Sequence, residues 1–283
     1  MENIIIPNPE RFEKLKKIFI EQGVQKLHVL TDFDRTLTHA YVEGLESATS
    51  FAQVRNGKYL SDEYTAEVKE LFAKYRPIEL DVSLSAEQKA PLMLEWWKKH
   101  FDALVKYGLD RKIIDEIAHS RDFRFRERAG EFLQLMNEKK IPVVIMSAGL
   151  GDVFVRNLEI ENSLHENIFV ITNLFEFNVD GKAQKIKEPI IHSMNKHEIV
   201  VPGFPIFEKI KDKKNVLLLG DVAEDVGMID GFEYDNLIKI GFFNEGLAVD
   251  GDVHFEEFKK KFDVIITNDG SMDFVLDFCK EIN

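Results

Sequence analysis

Cysteine is nearly absent from this chain of 283 residues; Cys279 is the only one. No intramolecular disulfide is therefore possible, and such usage fits a reducing cytosol. The lone thiol reads as a small hydrophobe on a terminal helix rather than a reactive group. Cationic side chains are also short in supply, with 37 Lys and Arg against 50 Asp and Glu and a formal net charge of −13. That balance argues against nucleic acid or an anionic membrane as a non-specific partner. An anionic substrate would have to be met by a local cation: a metal, a lysine or backbone amides. Long apolar runs are missing as well, so no membrane-spanning helix is expected, and Met1–Pro7 has neither the basic region nor the apolar run of a leader. There is no internal repeat, low-complexity tract or long flexible linker.

What remains is an ordinary globular balance, 45% hydrophobic and 31% charged, with 23 Phe that predict an aromatic-rich core. Asn8-Pro9-Glu10 opens a helix that runs to Gln22. The apolar run Leu27-His28-Val29-Leu30-Thr31 reads as a buried strand over about 25–31. After Thr38, residues 39–60 show no clear period, and helical patterns follow. One covers Ser61–Tyr75 and stops before Pro77. Another opens at the capping box Ser85-Ala86-Glu87-Gln88 and runs to Gly108, and a third covers Asp110–His119. Strand–helix alternation then resumes, with strands at 141–146, 168–172, 215–221, 236–240 and 263–267. A hairpin is expected at 175–182, and helices at 126–139, after Asp152, at 204–211 and at 271–282. The expectation is an α/β fold: a Rossmann-like parallel sheet core, residues 1–38 and 125–283, interrupted by an α-helical cap domain at 39–124.

Four stretches carry chemistry, three of them at strand ends. Asp32 and Asp34 follow the first strand. A carboxylate there can attack phosphorus or ligate Mg²⁺, and a second one can move protons as general acid and base. Ser147-Ala148-Gly149 follows the strand at 141–146, where a hydroxyl and free amides before a helix suit an anion. Lys196 lies between His192 and His197, which are read as supporting residues because they lack metal-ligand spacing. Gly220-Asp221 ends a further strand, with Asp221 placed to complete a metal site and Asp225 to orient Lys196 or a metal-bound water. Taken singly, these read first as an acidic turn, a capping serine, a surface lysine and a helix-start acid.

Taken together, the order Asp-x-Asp, Ser, Lys, Gly-Asp-x-x-x-Asp resembles the haloacid dehalogenase-like phosphohydrolases. The resemblance implies Mg²⁺ held by Asp32, the Asp34 backbone carbonyl and Asp221. It implies phosphate held by Ser147, Ala148 and Lys196, and an aspartyl-phosphate on Asp32. Three further stretches narrow it: Pro91-x-Met93-x-Glu95-Trp96-Trp97, Ser147–Asp152, and Ile191-His192-x-x-Asn195-Lys196-His197. With these the chain resembles the cytosolic pyrimidine 5'-nucleotidases (cytosolic 5'-nucleotidase III). That implies a cytoplasmic enzyme hydrolysing nucleoside monophosphates, with Glu95 contacting the nucleoside and Trp96 available to stack on a base. Residues 39–60 depart from the family pattern, lacking cysteines there. Open beside this reading are a phosphatase for a sugar phosphate or phosphoserine, and a non-catalytic binding module on the same fold.

Overall fold

A computed structural model describes residues 3–57, 59–81, 83–196, 206–244 and 252–283. In chain order the first elements are β1 (Ile4–Ile5), α1 (Pro9–Gln22) and β2 (Leu27–Thr31). Then come β3 (Tyr41–Val42), β4 (Leu45–Glu46), α2 (Ser50–Asn56), α3 (Asp62–Leu80), α4 (Ala86–Lys106) and α5 (Arg111–Ala118). The chain returns through α6 (Ala129–Glu138), β5 (Val143–Leu150), α7 (Gly151–Ile160), β6 (Ile168–Asn173), β7 (Phe175–Phe177) and β8 (Ala183–Ile186). It closes with α8 (Phe207–Ile210), β9 (Asn215–Gly220), β10 (Asn236–Phe243), α9 (Val253–Lys261), β11 (Val264–Thr267) and α10 (Asp273–Glu281).

Seven strands form one sheet in the order β1-β11-β10-β9-β2-β5-β6. All pairings are parallel except that of β1, which closes one edge antiparallel to β11. Alternate residues of each strand face opposite sides. Val29, Ile145, Leu217 and Leu219 enter one core, whereas Leu30, Val144, Val216 and Leu218 enter the other. Burial on both faces is why these strands read as continuous apolar runs. The sheet and its helices are thus the mixed α/β architecture expected from the sequence, with a helical insertion between β2 and β5.

The insertion departs from expectation in two places. Residues 39–56, which show no period, form the β3–β4 hairpin and α2. The hairpin turns at Glu43 and Gly44, both at positive φ (55° and 76°), the backbone that tight hairpins use. The helix expected to stop before Pro77 continues to Leu80. Proline removes one backbone donor near that end, and Tyr75 and Ile78, packed with Met93 and Trp96, hold the last turn in place.

Elsewhere β5 runs past 146 to Leu150 and β10 runs to Phe243, while α9 and a 3₁₀ segment at Ala223–Ile229 were not anticipated. Residues 204–205, the expected start of α8, lie outside the described residues. Where the chain leaves the sheet for the insertion and returns, the two passages are paired: Thr38 bridges Phe125, the His39 N–H donates to Arg124 O (3.0 Å), and the Arg126 N–H donates to Leu37 O (2.8 Å).

Candidate active site

The sheet order reverses at β2. The chain proceeds from it to β5 and β6 on one side, and then to β9, β10 and β11 on the other. The crevice beyond the carboxyl ends of β2 and β9 is therefore the topological switch point, where open α/β sheets bind ligands. Asp32 leaves β2 there, its N–H donating to Leu219 O of β9 (3.0 Å). Asp221 leaves β9 beside it, and Asp225 returns to the same spot from the following 3₁₀ segment. One oxygen from each of Asp32, Asp221 and Asp225 lies within 4.8 Å of the others. Gly220 permits this approach, since a Cβ there would sit 2.4 Å from Asp225 Cβ.

Lys196 spans two of these carboxylates. Its Nζ donates to Asp32 Oδ1 at 2.5 Å and to Asp225 Oδ1 at 2.7 Å. Asp225 Oδ2 accepts from the Asp221 and Val222 N–H groups (3.0 and 3.1 Å), which fixes the turn after β9. One lysine does not balance the acids around it. Burial raises the Asp32 carboxyl to about 7, Lys196 draws it back, and Asp225 pushes it up again. Burial and then the charge of Asp32 push Asp34 up to about 8. Burial, Asp225 and Asp32 hold Asp221 well above the ordinary range. Lys196 is itself held above a free lysine, because Asp225 and Asp32 outweigh its burial. Hard oxygen donors crowded to this degree fit a divalent cation such as Mg²⁺. Asp34, on the same loop, contributes no carboxylate oxygen to the three-carboxylate group among the described residues.

The end of β5 presents a buried hydroxyl and a braced peptide. Ser147 is buried, and its Oγ accepts from the Gly149 N–H (3.1 Å), which leaves the hydroxyl proton free to donate. The Ala148 carbonyl accepts from Asn173 Nδ2 and from the indole N–H of Trp97, both at 2.9 Å. The Ala148–Gly149 peptide is thereby pinned from both sides before α7 begins. Ser50, the first residue of α2, lies between this loop and the Asp32–Asp34 loop: its Oγ accepts from the Leu150 N–H (3.0 Å), and its backbone acts to lower the Asp34 carboxyl. Ser50, Asn173 and the contact of Trp97 with Ala148 escaped the sequence reading. The Thr49 cap of α2 is the one local signal that could have drawn attention to Ser50, and nothing local marks the other two.

The insertion places its residues differently. Glu95 on α4 is half-buried and pairs with Lys99 Nζ at 2.5 Å. Lys99 first, and then the Tyr75 hydroxyl, hold its carboxyl below the ordinary value. Trp96 is only 7% exposed and stacks on Tyr75 with centroids 5.9 Å apart at 12°, so little of its surface is open to a ligand. Trp97 is half-buried at the boundary with the loop around Ala148, its ring 6.2 Å from that of His192. Met194, two residues before Lys196, packs on the cluster of Tyr75, Met93 and Trp96. His197 lies outside the described residues. No described helix is long and apolar enough to cross a membrane.

Comparison with known proteins points one way. The model of the family described as Pyrimidine 5'-nucleotidase (UMPH-1) matches residues 35–283, beginning directly after the Asp32–Asp34 pair. A Gallus gallus protein named 7-methylguanosine phosphate-specific 5'-nucleotidase is 30% identical over 271 residues, 95% of this chain and 92% of its own. The crystal structure of cytosolic 5'-nucleotidase IIIB bound to cytidine superposes with a TM-score of 0.89 at 26% identity, covering 100% of this chain and 94% of that one. A had family hydrolase from Salmonella enterica serovar Typhi, at 12% identity and a TM-score of 0.57 over 96% of this chain and 81% of its own, shares the fold alone.

Proposed function

Because the chain belongs to the pyrimidine 5'-nucleotidase family and is a phosphoric monoester hydrolase acting on nucleoside monophosphates, we propose that Asp32 is its nucleophile and Asp34 its general acid and base. The observation that carries this reading is the convergence of Asp32, Asp221, Asp225 and Lys196 at the switch point. An Asp32 oxygen attacks phosphorus in line, the bond from phosphorus to the nucleoside 5'-oxygen breaks, and Asp34 gives its proton to that oxygen. Burial keeps the proton on Asp34 near neutral pH. In the second step Asp34 takes a proton from water, which attacks the phosphorus of the aspartyl-phosphate; inorganic phosphate leaves and Asp32 is restored.

Asp32, Asp221 and the Asp34 backbone carbonyl would hold Mg²⁺, which would supply charge neutralisation for this transfer. Ser147, through its free hydroxyl proton, the amide at Ala148, and Lys196 hold the remaining phosphate oxygens. Asp225 keeps Lys196 aimed at Asp32.

Residues 39–124 act as the cap over this site, located in the cytosol with the rest of the enzyme. Glu95 accepts from the amino edge of the base. Trp97, half-buried beside the phosphate loop, is better placed than Trp96 to offer a ring face, and Trp96 supports Glu95 through Tyr75. A carboxylate next to aromatic rings suits a base with amino donors or a positive ring. Cytidine and 7-methylguanosine monophosphates are therefore the expected substrates. Phosphate release from CMP, UMP, 7-methyl-GMP, AMP, a sugar phosphate and phosphoserine, each with Mg²⁺, tests the reading. It predicts the first and third as the best substrates. Turnover of the sugar phosphate or phosphoserine without turnover of any nucleotide would overturn it.

A further inference from the structure

We infer that Arg126 is a positioning residue for the Asp34 loop, acting through the backbone that follows the reactive carboxylates. The inference rests on the role of Asp34 proposed above. Directly after Asp34 the chain makes an unusual turn: Arg35 adopts a left-handed conformation with φ of 61°, which side chains rarely hold unless their surroundings dictate it. The surroundings do. The Arg35 N–H donates to Thr38 Oγ1 at 2.9 Å, and the Arg35 carbonyl accepts from Asn244 Nδ2 at 3.0 Å and from an Arg126 terminal nitrogen.

Arg126 has a fully buried side chain. Its Nε donates to Thr36 O at 2.9 Å. One terminal nitrogen donates to Gly270 O at 2.6 Å and pairs with Asp269 Oδ1 at 3.0 Å. The other meets Arg35 O and, at 3.3 Å, Asn244 Oδ1. A guanidinium has five N–H donors in a planar fork, and all five have acceptors here. Its face lies 4.2 Å from the Phe242 ring centroid. Asp269 is equally engaged, with Oδ1 also accepting from the Ala40 N–H (2.9 Å) and Oδ2 facing His39 Nδ1 (2.9 Å) and the Tyr41 N–H (3.2 Å). One guanidinium thus ties together the loop after Asp34, the turn after β11, the end of β10 and, through Asp269, the passage into the insertion. None of its hydrogen-bond partners is a reacting group, but its charge also reaches Asp221, so a variant that keeps the charge isolates its effect on the position of Asp34.

The geometry makes a specific demand on kinetics. Asp34 protonates a poor leaving group, the nucleoside 5'-oxygen, whereas p-nitrophenolate departs without a proton. Arg126→Lys keeps a charge but cannot hold the carbonyls of Arg35 and Thr36 together in a plane. Its kcat/KM for CMP should fall on the order of 10- to 100-fold, the scale of a misplaced catalytic group, while kcat/KM for p-nitrophenyl phosphate changes by less than about threefold. Asn244→Ala, which removes one donor from Arg35 O, should show the same split at smaller size, and it serves if the lysine variant does not fold. Asp34→Asn, run alongside, separates the two claims. If it shows no dependence on the leaving group, the role of Asp34 is wrong and the inference falls with it. If it shows the split and the folded Arg126 or Asn244 variants lose both esters equally, or neither, the positioning role is overturned.

Discussion

Lys196, partly buried, and Arg126, fully buried, are both cations at the carboxyl ends of the strands, but they meet opposite surroundings. Arg126 finds an acceptor for each of its five donors, mostly backbone carbonyls, and its charge meets that of Asp269. Lys196 faces Asp32 and Asp225, with Asp221 and Asp34 close behind, and the acids remain in surplus. The first arrangement is complete and therefore rigid. The second is short of positive charge, which is what a site for a metal and a phosphoryl group requires. Stability resides in the first, and reactivity in the second.

Replacing the two cations in turn separates these roles, and the largest effect is on turnover. Lys196→Met should lower kcat/KM for CMP at least about 100-fold, because in the proposed mechanism a phosphate oxygen and Asp32 lose their common partner. Its stability should fall by only about 1–2 kcal/mol, since the acids left behind take up protons. Arg126→Met should reverse the ranking in urea melts and cost about 3–5 kcal/mol of stability, the usual penalty for orphaning a buried network. Equal stability losses in the two variants would erase the distinction.

Smaller effects appear in the pH dependence of folding, where site and core pull in opposite directions. The Asp34 carboxyl is raised to about 8 by burial and by Asp32. Its contribution to stability is thus fully present below the unfolded value of about 3.9 and is lost as pH rises towards 8. Asp34→Asn should stabilise the metal-free protein at pH 8 by roughly 1–3 kcal/mol, a figure reduced for the partial exposure of this side chain. His28, in β2, donates from Nδ1 to Lys213 O at 2.7 Å, and burial lowers it to about 4. The unfolded chain takes a proton that the folded chain refuses. Stability should therefore fall as pH drops from about 6.5 to 4, on the order of 2–3 kcal/mol. His28→Asn should flatten that acid limb and leave the alkaline one unchanged, as read by thermal melts across pH.

The same contrast explains which parts were legible in the sequence. β2, β5 and β9 are buried on both faces, so each shows as an apolar run, and the residues at their ends are found by locating where the run stops. Asp32, Asp34, Ser147 and Asp221 were visible for that local reason. Lys196 has no such marker and was found only through its place in the motif order. Arg126 was invisible because its acceptors Arg35, Thr36, Asn244 and Gly270 lie 90 to 144 positions away. In the sequence it looks like one basic residue at the start of a helix, and that helix in fact begins later, at Ala129, because Arg128 turns left-handed with φ of 66°. Ser50 and Asn173 were missed on similar grounds: a hydrogen bond to a distant backbone leaves no periodicity. The β3 and β4 strands, two residues each, are too short to show alternation. Pro77 misled because breaker rules describe an isolated helix, and packing against Trp96 and Met93 overrides them here.

The most direct test concerns Asp32 itself. Enzyme turning over saturating CMP with Mg²⁺ is quenched in acid within milliseconds and reduced with borohydride, which converts an aspartyl-phosphate to homoserine, and its peptides are read by mass spectrometry. The account predicts homoserine at position 32, absent when CMP or Mg²⁺ is omitted and absent in Asp32→Asn, which should also lose turnover at least about a thousandfold. Homoserine at another carboxylate, or normal CMP hydrolysis by Asp32→Asn, would contradict it.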